Sequence, residues 1–239
     1  MKKFKKLIKI LFEGSAVWFK ALRLGVAASV EHLAVLRMLD CRTVVDIGAN
    51  RGQFALVARQ SFPEAKIISF EPLNKPADLF ESVFSHDNLV SLHRSAIGPE
   101  PDRCKMHLSG KDDSSSLLPI SELQDEIFPG TSEVGTIDVR VEPLSEFIKS
   151  KDVDSPAMLK LDVQGFELDA LIGCESLLQK FDCIYCECSF VELYSGQKLV
   201  SEVVDWLFDR GFYIEGIYNT SYDGEGKAVQ ADFLFYKKK

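Results

Sequence analysis

The chain has 239 residues, of which 46% are hydrophobic and 27% charged, and its formal net charge is −8. This length and composition predict a globular protein with one large α/β domain or at most two small ones. The negative charge argues against a general nucleic-acid binder, which would need a basic surface.

The N-terminal end has a charge pattern of its own. The first twelve residues, MKKFKKLIKILF, contain five lysines and no acidic residue. Residues 2–12 fit a short amphipathic helix, which predicts peripheral contact with an anionic membrane surface. Packing on the domain and a lack of fixed structure are the alternatives.

The expected location follows from three features. The sequence shows no secretory signal peptide and no run of about 18 apolar residues that would span a membrane. Its six cysteines lie mostly in apolar segments, which fits free thiols in a reducing compartment. We therefore expect a cytoplasmic protein, at the inner membrane surface if the basic N-terminus binds there.

Two regions are predicted along the chain. Residues 1–40 form a helical extension, with apolar helices over 17–24 and 30–39, and residues 41–239 form the main domain. The last helix of the main domain is predicted to turn Trp206 and Phe208 inward. The predicted strands are 43–47, 66–70, 89–97, 158–163 and 182–188, and the predicted helices are 53–60, 75–84, 143–149, 167–173 and 201–210.

The remaining segments complete a sheet. Residues 212–218 and 231–236 are predicted to be a terminal pair of strands. The irregular region 100–140 is predicted to hold short antiparallel strands at 103–108 and 137–141 around a long functional loop. The alternation of strands and helices predicts a doubly wound, mostly parallel sheet with helices on both faces. Ligands of such sheets bind at the carboxyl ends of the strands.

The segment 46-DIGANRG-52 predicts a ligand close to the backbone. Gly48 and Gly52 allow a sharp turn from strand to helix, and Asn50 tolerates left-handed conformations. Exposed N–H groups at the helix start would favour an anionic group. Glu71 ends the next strand, where an acid can bind the two hydroxyls of a ribose. Together these features predict an adenosine-containing cofactor.

Two cofactors fit this pattern. A dinucleotide such as NAD favours the spacing G-x-G-x-x-G, whereas the spacing here is G-x-x-x-G. Asp46 would repel a pyrophosphate and attract the sulfonium or ammonium of S-adenosylmethionine (SAM). The pattern favours SAM. An NAD-dependent oxidoreductase and a non-catalytic, membrane-associated cofactor-binding module remain the alternatives.

Two acidic residues are candidate general bases. Asp162 ends the strand 158-MLKLDV-163 at the same edge as the cofactor, although it could instead cap the next helix. Glu187 lies within an apolar strand, where a carboxylate is costly to bury without a partner. These two carboxylates could share a magnesium ion, although their spacing does not require one.

Six sequence blocks carry a family resemblance. VVDIGANRGQFA, IISFEPL, LHRSAIG, SSSLLP, LKLDVQGFELDALIG and IYCECSFVELYSGQ follow one another over residues 40–236. In this order they resemble the FkbM-type family of class I SAM-dependent methyltransferases. The resemblance implies a seven-stranded Rossmann-like sheet with an antiparallel last strand. It also implies O-methylation of a sugar hydroxyl or of a glycosylated or envelope glycan acceptor.

The resemblance also implies roles for individual residues. The methionine end of the cofactor would lie near the Gly-rich turn, the ribose at the acid after the second strand, and the acceptor near the serine block. For the cofactor these residues are Asp46, Gly48, Asn50, Gly52, Glu71, Pro72, Leu73, Ala96 and Ile97, and for the acceptor they are Ser115 and Ser116. The position of the turn 162-DVQGFE-167 at the same edge adds Asp162 to the expected cofactor contacts and Gln164 and Glu167 to the expected acceptor contacts, although Glu167 could instead face solvent or cap the turn. The oligomeric state is not predicted.

Overall fold

The computed structural model of the protein describes residues 14–238. The amphipathic helix predicted over residues 2–12 lies outside this range, so its membrane contact remains a prediction. Among the helices that are described, none is long and apolar enough to cross a membrane.

Ten strands and eight α-helices are found between residues 14 and 238. The strands are β1 (Thr43–Ile47), β2 (Lys66–Phe70), β3 (Val90–His93), β4 (Ala96–Ile97), β5 (Asp102–Ser109), β6 (Glu133–Glu142), β7 (Ala157–Leu161), β8 (Cys183–Ser189), β9 (Phe212–Tyr222) and β10 (Ala228–Lys237). The helices are α1 (Ala16–Arg23), α2 (Leu33–Leu36), α3 (Gln53–Ser61), α4 (Asn74–Phe84), α5 (Glu122–Ile127), α6 (Glu167–Gly173), α7 (Glu175–Leu178) and α8 (Val200–Phe208). Short 3-10 helices lie at Val30–His32, Asp112–Ser114, Leu144–Glu146 and Ser150–Asp152.

Seven strands form the main sheet, in the order β3-β2-β1-β7-β8-β10-β9. Strands β3, β2, β1, β7 and β8 run parallel, and β10 lies antiparallel between β8 and β9. This arrangement confirms the predicted doubly wound, mostly parallel sheet with an antiparallel last strand. The chain order reverses between β1 and β7, which creates a crevice at the carboxyl ends of these strands.

The central strands are buried on both faces. All five residues of β1 are buried, and so are all five of β7. Val44 and Met158 contribute to the apolar core on one face of the sheet, whereas Val45 and Leu159 contribute to the core on the other. Alternate side chains of a strand point to opposite faces, so β-branched and aliphatic residues at every position suit a sheet covered on both sides.

The N-terminal helices pack into the first of these two cores. Trp18 of α1 is 1% exposed, and its Nε1 donates a hydrogen bond to the carbonyl of Leu56 in α3 at 2.9 Å. The predicted helix 30–39 is instead one 3-10 turn followed by the four-residue α2. This segment brings residues 29–32 to the edge of the crevice.

One predicted strand is wrong in its extent. Residues 89–97 do not form one strand, because the chain changes partners at Arg94 and Ser95. Strand β3 pairs with β2, whereas β4 pairs with β6 in a separate three-stranded sheet of order β4-β6-β5. The Arg94 guanidinium contacts acids on α4, while the Ser95 hydroxyl donates to the carbonyl of Arg140 at 3.1 Å. The two antiparallel strands predicted between 100 and 140 are confirmed, and both are longer than expected.

Three other expectations need correction. Phe208 of α8 does not point inward, because it is 55% exposed and packs edge-on against Tyr213. The predicted helix 143–149 is reduced to the 3-10 turn Leu144–Glu146. The terminal strands, predicted over 212–218 and 231–236, are longer, since β9 ends at Tyr222 and β10 begins at Ala228. Asn219 is therefore a strand residue.

Candidate active site

A cavity of about 920 Å³ opens at the carboxyl ends of β1, β2 and β7. Strand β4 and the terminal strands β9 and β10 supply further walls, and the segment 29–32 closes one side. The predicted site residues that line this cavity are Gly48, Asn50, Glu71, Pro72, Leu73, Ala96, Ile97, Ser115, Asp162, Gln164 and Glu187.

The turn after β1 is packed tightly against the loop after β7. Gly48 has a φ of +77°, and a Cβ at this position would lie 1.9 Å from the carbonyl oxygen of Asp162. Only glycine fits both the left-handed backbone and this close approach. Asn50 is also left-handed, with a φ of 47°, as its side-chain type predicted.

The N–H groups of this turn are already hydrogen-bonded. All five from Gly48 to Gly52 donate within the protein, so none of these five is left for an anion. The N–H groups of Gly48 and Ala49 both donate to the Phe70 carbonyl, and that of Gly52 donates to the Ala49 carbonyl. The N–H of Asn50 donates to Glu71 Oε2, and that of Arg51 donates to Asn50 Oδ1. The anion site expected at the helix start, from Gln53 onward, stays a prediction.

Glu71 is held rigidly at the end of β2. Its Oε2 accepts from the N–H of Asn50 at 2.9 Å, and its Oε1 accepts from the N–H of Leu73 at 2.8 Å. The residue is 5% exposed. Burial raises the pKa of Glu71 to about 7, although the two N–H donors oppose this rise. Each carboxylate oxygen keeps acceptor capacity toward the cavity, because a carboxylate has about four lone-pair sites.

Asp46 is paired with a lysine that the sequence analysis overlooked. Lys160 Nζ lies 3.1 Å from Asp46 Oδ1 and donates to the carbonyl of Gly48 at 3.2 Å. Burial raises the pKa of Asp46, and the Lys160 ammonium opposes that rise. Asp46 is 0% exposed and does not line the cavity. The argument that a bare Asp46 charge faces the cofactor therefore does not hold.

Gln164 connects the two candidate bases. Its Nε2 donates to Asp162 Oδ1 at 2.7 Å and to Glu187 Oε2 at 3.0 Å. Its Oε1 accepts from the hydroxyl of Tyr194 at 2.7 Å, which fixes the orientation of the amide. The space between the two carboxylates is thus occupied by an amide donor. The structure brings the two carboxylates together through this amide.

Glu187 accepts a hydrogen bond from a second side-chain amide. Gln230 Nε2 donates to Glu187 Oε1 at 2.8 Å, so both carboxylate oxygens have amide partners. Burial, followed by the nearby charges of Asp162 and Asp232, raises the pKa of Glu187 well above its ordinary value. Within the described part of the chain, no group of three or more His, Cys, Asp or Glu residues is arranged to hold a metal ion.

The other predicted site residues outside the cavity support its walls. A Cβ on Gly52 would lie 2.8 Å from the ring of Phe84, so this glycine allows close packing on α4. The Ser116 hydroxyl donates to the carbonyl of Gln164 at 2.6 Å and holds the turn after β7. The cavity-lining Ser115 accepts from the N–H of Ser109 at 3.1 Å.

Glu167 is also part of the framework. Its Oε1 accepts from the N–H groups of Val163 and Gly165, at 3.2 and 3.0 Å, and so closes the turn that carries Gln164. Burial raises the pKa of Glu167 to about 7. The residue is 3% exposed and lies outside the cavity lining, so the acceptor contact expected of it is not seen.

A second polar cluster at the cavity was missed entirely. Tyr185 and Asn219 both donate to Asp232 Oδ2, at 2.9 and 2.8 Å, and His32 Nδ1 lies 3.0 Å from the Tyr185 hydroxyl. His32, Asn219 and Asp232 all line the cavity. No spacing rule joins residue 32 to residues 219 and 232.

The partner of Asp46, Lys160, could have been suspected from the sequence, because a lysine inside the apolar strand MLKL requires a buried partner.

The charges that line the cavity are mostly negative. The lining contains seven acidic residues and two lysines. Even without Glu187, whose pKa is raised, the acidic residues outnumber the lysines, so the cavity is unfavourable to anions. The carboxylates are Glu31, Glu71, Asp112, Asp113, Asp162, Glu187 and Asp232, and the lysines are Lys111 and Lys160.

Comparison with known proteins finds methyltransferases among the relatives of this chain. The 2-O-methyltransferase NoeI of Sinorhizobium fredii (strain NBRC 101917 / NGR234) is 28% identical over 170 residues, which cover 69% of this chain and 70% of NoeI. Methyltransferase 1 of Beauveria bassiana (strain ARSEF 2860) is 28% identical over 153 residues. That match covers 56% of this chain and 59% of the fungal protein, which is less than two thirds of its length.

A solved structure shares the fold. The O-methyltransferase TomG from Streptomyces achromogenes, described in complex with SAM, matches with a TM-score of 0.54 and 11% identity over 100% of both chains. At this identity the likeness concerns the fold alone. The family described as "Methyltransferase FkbM domain" matches residues 46–214, which is most of the chain. The resemblance seen in the sequence is thereby confirmed, and the chain belongs to the FkbM family of methyltransferases.

Proposed function

We propose that this methyltransferase uses SAM to methylate a hydroxyl group of a sugar or glycan. The observation that carries the choice of cofactor is the hydrogen bonding of the turn 48–52 together with Glu71. A pyrophosphate is bound by free backbone N–H groups, and this turn has none to offer because all five already donate. The acidic residues of the cavity lining, which outnumber its lysines even without Glu187, would also repel a dinucleotide.

The lining residues fit the parts of SAM. Glu71 would accept hydrogen bonds from the two ribose hydroxyls, and Pro72, Leu73, Ala96 and Ile97 would flank the adenine. Asp162 would lie toward the positively charged methionine end, with Gly48 and Asn50 forming the adjacent backbone surface. When bound, SAM supplies a methyl group on a positively charged sulfur, which suits a cavity rich in carboxylates.

The other end of the cavity fits a neutral, hydroxyl-rich acceptor. Glu187 and Asp232 each accept from a side-chain amide, and the amide and carboxylate groups together can donate to and accept from hydroxyls. Anionic acceptors would be disfavoured by the same carboxylates. The relative NoeI is a 2-O-methyltransferase, which supports an oxygen acceptor here.

Calorimetric titration tests the cofactor. Wild-type protein should bind S-adenosylhomocysteine, the product left after methyl transfer from SAM, and should not bind NAD. Glu71→Ala should weaken binding at least about tenfold, since two hydrogen bonds to a charged group are lost. Glu64→Ala is the matched control, because Glu64 is exposed and lies outside the cavity lining. Binding of NAD alone would favour the oxidoreductase alternative.

Radiolabelled methyl transfer tests the acceptor. Labelled SAM should methylate neutral or amino-sugar glycosides in preference to uronic acids and sugar phosphates. Cofactor binding without transfer to any member of such a panel would favour the non-catalytic module. Transfer only to the anionic members would contradict the proposed acceptor class.

A further inference from the structure

The cluster of His32, Tyr185, Asn219 and Asp232 contains a mostly buried histidine at the cavity, to which the proposed function assigns no role. The side chains of His32 and Asp232 are only 15% and 12% exposed, yet both residues line the cavity. His32 comes from the 3-10 turn Val30–His32, and Asp232 comes from β10. The fold therefore brings a histidine and a carboxylate from distant parts of the chain to the wall of one cavity.

The hydrogen bonds of this cluster favour one tautomer of His32. Tyr185 donates its only hydroxyl proton to Asp232 Oδ2 at 2.9 Å. The Tyr185 oxygen, 3.0 Å from His32 Nδ1, is then free to accept, which favours the tautomer with the proton on Nδ1. Asn219 Nδ2 is directed at Asp232 Oδ2 at 2.8 Å and lies farther, 3.3 Å, from His32 Nδ1.

The second ring nitrogen is left as an acceptor. In a neutral imidazole with a protonated Nδ1, Nε2 holds a lone pair. Among the described residues, none forms a hydrogen bond with His32 Nε2. Phe54 packs edge-on against the ring, with centroids 5.4 Å apart, and Tyr185 does so at 5.6 Å, which holds the imidazole in place.

We propose that His32 is the general base of the methyl transfer and that Asp232 is its positioning residue, acting with Tyr185 and Asn219. This inference rests on the proposed function. In the step, the acceptor oxygen forms a bond to the methyl carbon, and the bond from that carbon to sulfur breaks with its electron pair staying on sulfur. The hydroxyl proton passes to His32 Nε2 and later leaves to solvent.

The charges around His32 suit this role. Burial lowers the pKa of His32, so the ring is neutral and able to accept a proton near neutral pH. Asp232 on β10, Glu31 in its own turn and Asp162 after β7 favour the imidazolium that forms, while Lys160 on β7 opposes it. Efficient general bases have a pKa near the working pH.

The two bases predicted from the sequence already have side-chain hydrogen-bond partners. Asp162 accepts from Gln164 and lies 3.8 Å from Lys160 Nζ, and both oxygens of Glu187 accept from amides. Carboxylates engaged in this way are suited to hold acceptor hydroxyls in place. The general base predicted at Asp162 or Glu187 is therefore replaced by His32 in this proposal.

The first experiment needs no acceptor. In protein with ¹⁵N-labelled histidines, the ring nitrogens are observed by NMR near neutral pH, and His32→Gln assigns the His32 signals among the four histidines. We expect a neutral ring with the proton on Nδ1. A protonated Nε2, or an imidazolium near neutral pH, would overturn the proposal whatever the acceptor is.

The second experiment measures kinetics on the preferred acceptor of the glycoside panel. His32→Gln should lower kcat by about 10²–10⁴-fold, the usual contribution of a general base, with S-adenosylhomocysteine affinity kept within about twofold. Added imidazole should partly restore His32→Ala. The control His107→Gln should behave like wild type, because His107 pairs with Glu133 away from the cavity lining.

The role of Asp232 is tested by the pH profile. Asp232 raises the pKa of His32, so Asp232→Asn should move the acidic limb of kcat to lower pH as well as reduce its height. An unchanged limb, or wild-type kcat in His32→Gln, would overturn the proposal. If wild-type protein fails to bind S-adenosylhomocysteine, the proposed function itself fails. If His32→Gln binds it normally but has lost activity, the base alone is lost.

Discussion

Lys160 Nζ lies 3.1 Å from Asp46 Oδ1, and the two side chains are only 5% and 0% exposed. They stand opposite each other on the paired central strands β7 and β1. A buried ion pair is costly to break, because removal of one partner leaves an uncompensated buried charge. The pair therefore stabilises the central strands and also places the Lys160 charge at the cavity.

Lys160→Met should destabilise the protein by about 3–5 kcal/mol in denaturant unfolding, because Asp46 loses its counter-charge. The double variant Lys160→Met/Asp46→Asn should recover part of that loss, since no charge is then left buried. A double variant no more stable than Lys160→Met would contradict the pairing.

The affinity for S-adenosylhomocysteine should rise with pH through the pKa of Glu71, which burial raises to about 7. Only the ionised carboxylate can accept from both ribose hydroxyls. Affinity measured by calorimetry should improve about tenfold between about pH 6 and about pH 8, as one group becomes ionised. Glu71→Gln should remove most of this pH dependence; an equally steep rise in that variant would assign it to another group.

Gly48→Ala should be far more harmful than Gly25→Ala. Both glycines have a φ of +77°, but a Cβ meets nothing within 4 Å at Gly25 and would lie 1.9 Å from the Asp162 carbonyl at Gly48. Gly25→Ala should cost about 1–2 kcal/mol from backbone strain alone. Gly48→Ala should cost at least about 2 kcal/mol more in the same unfolding experiment. Equal losses would show that the turn can move away from β7.

Glu167→Gln should change how stability depends on pH. Burial raises the folded pKa of Glu167 from 4.5 to about 7, so folding takes up a proton between these values and wild-type stability falls as pH rises through them. Glutamine keeps an oxygen for the N–H groups of Val163 and Gly165 without this proton. The variant should gain up to about 3 kcal/mol relative to wild type at about pH 8 compared with about pH 5.

Thermal or denaturant unfolding at the two pH values gives this comparison. Glu100→Gln serves as the control, because Glu100 is exposed. A wild-type protein that grows more stable across this pH range relative to Glu167→Gln would show that Glu167 is ionised without cost in the folded state.

The sequence predicted the parts of the site that depend on local pattern. Glycines after a buried strand and an acid after the next strand follow from the βαβ unit, and Gly48 and Glu71 occupy those positions. The structure adds what local pattern cannot show. Asp46 looked like a charge facing the cofactor, whereas the pairing of β1 with β7 joins it to Lys160.

Long-range contacts explain the remaining differences. His32, Asn219 and Asp232 meet only because the segment 29–32 covers the crevice and β10 inserts between β8 and β9. Nothing near His32 in the sequence marks it as part of a site. The strand expected over 89–97 failed for a similar reason, since its last residues pair with β6 from a distant segment.

The span of the His32 contacts also bears on when the cavity is completed during synthesis. Asn219 lies 187 positions after His32, and Asp232 follows later still. When the five parallel strands have left the ribosome, Asn219 and Asp232, which complete this part of the cavity, have not yet emerged. Contacts so far apart in the chain form late and slowly in folding. In a nascent chain, the central strands should consequently form well before the cavity is complete.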